Sequence, residues 1–99
     1  MRAIVCKNWG KVRDLSLETI AAPIAGPDEV LIDVKAAAVN FADSIMVAGH
    51  YQTKPDLPFT PGLEASGVVA AIGDGVTHVR PGDRVMAMTS WGGYAEQVV

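Results

Sequence analysis

Two short stretches hold the residue types from which chemistry could be built. Asn40-Phe41-Ala42-Asp43 sets an amide and a carboxylate three positions apart, and Pro61-Gly62-Leu63-Glu64-Ala65-Ser66-Gly67 carries one carboxylate among apolar neighbours. The three-residue spacing lets a cap side chain and an acidic side chain both serve the exposed amides of a helix's first turn, so a helix should start at Asn40. Pro61 and Gly62 set a sharp turn, and Gly67 leads into the apolar run Val68 to Ile72, a turn followed by a strand. If the two corners meet, a few polar groups stand on an otherwise apolar wall, the usual composition of a small-molecule site.

The elements that must position these corners are mostly strands. Arg2 to Lys7 reads as a first strand and Leu15 to Ile20 as a second, a hairpin joined through Asn8-Trp9-Gly10. Pro23 and Pro27 lack the donors a central strand needs, so the segment from Ala22 to Asp28 is a surface connector. From Glu29 to Ala38, Val30, Ile32, Val34 and Ala36 alternate with Asp33 and Lys35, which predicts a half-buried strand. Phe41, Ile45 and Ala48 recur at helical spacing before Gly49, giving one short helix over about 41–48. His50 to Thr60, with Pro55 and Pro58, is an irregular loop, and Val68 to Ile72 is a strand buried on both faces or packed closely on a neighbour. Turns at Pro81-Gly82-Asp83 and Gly92-Gly93 introduce two further strands, Arg84 to Met88 and Tyr94 to Val99. The order fits a mostly β, barrel-like domain with an inserted helix.

Composition narrows the partners. A chain of 99 residues, 49% of them hydrophobic, makes one domain, 1–99, with a modest core. The net charge of −3 comes without a Lys/Arg cluster, which argues against nucleic acid. Cys6 stands alone, so neither an intrachain disulfide nor a cysteine-based metal site can form, and cytoplasm is the default compartment. The first apolar run is cut short by Lys7, well below the length of a signal core or a membrane span. The apolar residues at Val98 and Val99 suggest a truncated product or an excised domain.

Five motifs together resemble the medium-chain dehydrogenase/reductase superfamily, and within it the zinc-free NADPH:quinone oxidoreductases related to zeta-crystallin. They are Gly26 to Val30, Ala38 to Asp43, Gly49-His50-Tyr51, Pro61 to Val69 and Pro81 to Val85. The resemblance implies a GroES-like, partly open β-barrel, the catalytic domain that accompanies a Rossmann domain in this family. It implies NADP(H), bound mainly by that Rossmann domain, whose glycine fingerprint does not occur in this chain. It further implies a quinone or α,β-unsaturated carbonyl substrate, hydride transfer, and a full-length homodimer. The 99-residue chain alone is then expected to be inactive. The rival reading is a stand-alone GroES-like binding or assembly module without catalysis.

In zinc-dependent relatives of that family a cysteine stands at the position matching Asn40 and a histidine at the one matching Leu63, and both bind the catalytic zinc. An amide and an alkyl group replace neither, so the resemblance implies a site without zinc. It also implies catalytic and cofactor-binding roles for Asn40 and Tyr51 beside the nicotinamide, with Phe41 next to them. A tyrosine of some relatives corresponds to Ile45 here, which makes the substrate pocket more apolar, and Trp91 is a second candidate for lining it.

Each residue also has a plainer role to be weighed. Asn40 can cap the helix while its amide holds a carboxamide or a quinone oxygen. Asp43 is expected to stabilise the helix start, and Glu64 to sit in an ion pair with a partner such as Arg84 or to be partly exposed. Tyr51 offers a phenol and a flat ring to a pocket, or simply packs over the barrel. His50 and His78 are expected to be exposed loop residues, and Cys6 an inert core residue.

Overall fold

Short apolar runs separated by glycine and proline fold as six strands and one short helix in a computed structural model that describes residues 1–99. β1 (Arg2–Val5) and β2 (Ser16–Thr19) pair antiparallel, Arg2 opposite Thr19 and Val5 opposite Ser16, as the expected hairpin. Its loop contains a 3-10 turn, Val12–Asp14, that no local pattern foretold. A second antiparallel sheet holds β3 (Val30–Ala38), β4 (Glu64–Ile72), β5 (Arg84–Met88) and β6 (Gln97–Val98) in the order β5-β4-β3-β6. The helix α1 (Phe41–Val47) follows β3, with Ala48 at its C-cap and Gly49 just beyond. The chain is mostly β, as expected, and its two sheets do not close into a barrel.

Three strands of the second sheet differ from the pattern reading. β4 begins at Glu64 rather than after Gly67, because Glu64 to Ser66 pair on one side with Ala36 to Ala38 and on the other with Met86 to Met88. β3 loses its alternation: register shifts at Leu31/Ile32 and Val34/Ala36 leave Ile32 buried and Ala36 to Ala38 all exposed. The last strand shrinks to Gln97–Val98, since Tyr94 to Glu96 serve another purpose. Ile4 N–H donates to the Tyr94 carbonyl, Glu96 N–H to the Arg2 carbonyl, and Val34 N–H to the Glu96 carbonyl. That crossing segment stitches the two sheets together.

A second long-range zipper controls the corner at Pro61. Gly92 N–H donates to the Thr60 carbonyl at 2.7 Å, Tyr94 N–H to Pro61 at 2.9 Å, Gly93 N–H to Gly62 at 3.0 Å, and Thr89 N–H to Leu63 at 2.7 Å. Thr89 Oγ1 adds a bond to the Gly62 carbonyl at 2.8 Å. So close an approach needs glycine: Gly62 has φ +110°, and a β-carbon there would stand 2.7 Å from Tyr94 N and 2.8 Å from Gly93 Cα. Gly67, inside β4, has no room either, because its β-carbon would fall on the Asp33 carbonyl.

Two small cores result. Cys6, Met46, Val47 and Phe59 are buried together beneath α1, with Trp9, Tyr51 and Leu63 packed around them. Ile32, Ala65 and Val98 form the other, inside the second sheet. The opposite side of that sheet is uncovered: Met86 is 90% exposed and Met88 87%, beside Ala36 to Ala38, with Val39 and Phe41 exposed at the helix entrance.

Candidate functional site

The helix start is built as its spacing predicts, with Asp43 contributing most of the visible bonding. Asn40 stands at the N-cap with extended backbone, φ −113° and ψ 152°, and the two residues have the capping-box arrangement, in which the Asn40 side chain makes no cap hydrogen bond. Asp43 Oδ2 accepts the Asn40 N–H at 2.9 Å, and the Asn40 carbonyl accepts the Asp43 N–H at 3.1 Å. Asp43 is buried, so its charge needs strong donors, and the second one arrives from far along the chain: the Tyr94 hydroxyl donates to the same Oδ2 at 2.6 Å. Burial, reinforced by the hydrogen bond and negative charge of Asp43, holds the Tyr94 phenol well above its ordinary range. Two buried atoms stay unmatched, the donor Asn40 Nδ2 and the acceptor Asp43 Oδ1.

The two corners singled out in the sequence do meet. A cleft of about 300 Å³ has Asn40, Ala42, Tyr51 and Thr53 along one side and Leu63, Glu64, Met88, Thr89 and Ser90 along the other. Asn40 supplies an amide and Tyr51 a phenol and a ring, while Ala42, Leu63 and Met88 add apolar surface beside Thr53, Glu64, Thr89 and Ser90. Asp43 is not among the residues lining the cleft, and its Oδ2 is already engaged by two donors. The arrangement suits a flat polar group that presents a carbonyl to an amide and its face to apolar side chains.

Other expected residues fall elsewhere. Phe41 is 83% exposed and Ile45 half-buried on α1, and neither lines the cleft. Trp91 lies beside a separate hollow near Met1, Pro23 and Val99. Glu64 is half-buried as one of its two expectations had it, but Arg84 is not its partner: Glu64 pairs with Met88 across β4 and β5, whereas Arg84 faces Val68 at the far end of the ladder. The ion pairs are Arg2 with Glu96 and Lys7 with Glu18, both 2.9 Å. His50 and His78 are exposed. Cys6 is fully buried, its Sγ donating to the Asn8 carbonyl at 3.3 Å, and burial pushes the thiol up. No three His, Cys, Asp or Glu side chains gather in a way that could hold a metal ion.

Tyr94, Thr89 and Ser90 were missed by sequence reasoning. The one available signal was Gly92-Gly93, which marks a close backbone approach without saying to what.

Known proteins share this architecture. The model of the alcohol dehydrogenase GroES-like domain matches residues 26–99. A quinone oxidoreductase-like protein 2 from Rattus norvegicus is 43% identical over 98 residues, covering 99% of this chain and 27% of that protein. The quinone oxidoreductase of Lama guanicoe is also 43% identical over 98 residues, covering 97% of this chain and 30% of its own length. The Escherichia coli quinone oxidoreductase, whose crystal structure is of its complex with NADPH, superposes with a TM-score of 0.91 at 30% identity, covering 99% of this chain and 30% of that one. The chain thus spans less than a third of the length of each.

Proposed function

This chain belongs to the alcohol dehydrogenase GroES-like domain family, and we propose that it is the N-terminal catalytic-domain portion of an NADPH-dependent quinone or enone oxidoreductase working without catalytic zinc. The observation that carries the reading is the meeting of Asn40 and Tyr51 in one cleft of mixed polar and apolar lining. Asn40 Nδ2 is buried without an acceptor, a state that costs about 1–3 kcal/mol, and a ligand carbonyl would relieve it once the amide turns into the cleft. NADPH, held mainly by a companion Rossmann domain, supplies the hydride. The residues of this chain do the rest: Asn40 fixes a carbonyl or carboxamide, Tyr51 covers the ring, and Ala42, Leu63 and Met88 keep water away. The zinc-independent form of the proposal rests on donor chemistry, an amide at Asn40 and an alkyl group at Leu63.

The test is NADPH-dependent reduction of 1,4-benzoquinone by the full-length protein. Turnover is expected, with Asn40→Ala lowering it more than it lowers the melting temperature. Turnover that persists unchanged in Asn40→Ala while melting falls would leave Asn40 only its cap and defeat the assignment. The 99-residue chain turning over by itself would defeat the proposed division of labour.

A further inference from the structure

Asp43 Oδ2 is the meeting point of two donors that arrive from segments far apart in the sequence. The Asn40 N–H reaches it from the helix start at 2.9 Å, and the Tyr94 hydroxyl reaches it at 2.6 Å from a residue 51 positions away. Tyr94 is itself anchored to the Pro61 corner. Its N–H donates to the Pro61 carbonyl, and its neighbour Gly93 is pressed against Gly62. The Tyr94 hydroxyl therefore closes a loop of contacts, Asn40 to Asp43 to Tyr94 to Pro61, that holds the helix start at a set distance from the Pro61 corner. Thr89 and Ser90 of the same zipper segment line the cleft, so the segment that sets the distance also walls the site.

We propose that Tyr94 is a positioning residue: through Asp43 its hydroxyl holds Asn40 in register with the wall formed by Leu63 and Glu64, so that the cleft is preset for its ligand. This extends the oxidoreductase reading above and rests on it for the catalytic part of the test. Tyr94 touches no reacting atom. Its hydroxyl is suited to the task because it stays protonated, and so remains a donor, throughout the neutral range. Phenylalanine would keep the ring and its packing while removing only that bond.

The experiment uses the full-length protein, Tyr94→Phe and two comparison variants, with hydrogen exchange at the Asn40 amide, NADPH binding by fluorescence titration, and steady-state reduction of 1,4-benzoquinone. In Tyr94→Phe the Asn40 amide should exchange at least tenfold faster relative to the core amides of β4. The kcat should fall about tenfold or more, with KM for the quinone changed by less than threefold. Gln97→Met removes a hydrogen bond of similar length, 2.7 Å to Asp33, between residues that do not line the cleft. It should lower the melting temperature without moving either Asn40 exchange or kcat. Asp43→Asn weakens the acceptor of both bonds at once, the Asn40 N–H and the Tyr94 hydroxyl, so it sets the largest loss expected in both readouts; if the phenylalanine variant does not fold, Tyr94→Met, an apolar gap-filler without the hydroxyl, carries the same test.

Asn40 protection unchanged in Tyr94→Phe, or lost equally in Gln97→Met, would overturn the proposal. So would a fall in kcat with Asn40 protection intact. A wild-type protein that binds no NADPH and reduces no quinone would refute the oxidoreductase reading instead, and the exchange data would still decide the positioning role.

Discussion

Three glycines separate two kinds of steric demand, and replacing each by alanine measures them one at a time. Gly82 has φ +95° with nothing within 4 Å of an added methyl, so Gly82→Ala meets only backbone strain, worth about 1–2 kcal/mol. Gly67 lies in β4 outside the left-handed region, but its β-carbon would fall on the Asp33 carbonyl. Relief there means moving β3 from β4, and such overpacking costs about 1–3 kcal/mol. Gly62 faces both demands: φ is +110°, and the new atom would lie 2.7 to 2.9 Å from the backbone of Gly93 and Tyr94. The strain adds to the weakening of the Gly93-to-Gly62 and Tyr94-to-Pro61 hydrogen bonds, each worth about 0.5–1.5 kcal/mol, for a total of about 2–5 kcal/mol. Urea unfolding followed by the fluorescence of Trp9 and Trp91 gives each difference from the midpoint, provided the slope is unchanged. Gly62→Ala should be at least about 1 kcal/mol worse than Gly82→Ala. Equal losses for those two would show that the Pro61 corner has slack and that its contact with Gly93 is not what places Tyr94. A neutral Gly67→Ala would refute the β3 and β4 register.

Two further outcomes follow from titration. Tyr94 has its phenol raised from 10.0 in the fold, so its share of stability is fully present below that pH and is lost as pH climbs above it. The wild type should therefore exceed Tyr94→Phe at neutral pH by about 1.5–3 kcal/mol, the worth of a hydrogen bond to a charged group, and the gap should narrow in urea titrations above pH 10. On the acid side, the hydrogen bonds from Arg2 hold Glu96 below its ordinary 4.5, so that pair stabilises above this value and fades as pH falls through the lowered one. Both side chains are well exposed, so Glu96→Gln should shift the acid limb only slightly and the shift should vanish in high salt, as thermal melts from pH 6 to 3 would show.

Local signals in the sequence were sufficient wherever the deciding contacts were local. The helix could be placed because Asn40, Asp43 and Gly49 punctuate it within one short stretch, and β3 could be placed because its apolar period is strong. Its bulges could not be seen, since they arise from how β4 lies alongside. The cleft was half legible: Asn40, Tyr51, Leu63 and Glu64 line it as two corners that meet, whereas Thr89 and Ser90 enter through a zipper between distant segments. Tyr94 was invisible for the same reason, because nothing near it hints at a carboxylate 51 residues away. The expected pairing of Glu64 with Arg84 failed on register, since antiparallel strands joined through a long loop put those residues at opposite ends of the ladder. Trp91, weighed as a cleft residue or a packed corner beside Gly92-Gly93, borders a separate hollow with Met1, Pro23 and Val99.

The bare side of the second sheet bears on handling as much as on architecture. β5 is an edge strand whose free hydrogen-bonding rim runs beside Met86 and Met88, so the same surface offers both unpaired amides and a greasy, deformable flank. A net charge of −3 gives only weak electrostatic repulsion between copies. Kept as a separate polypeptide, the chain is a candidate for concentration-dependent clumping, and a charged residue in place of Met86 would be the first change to make for anyone who needs it to stay dispersed.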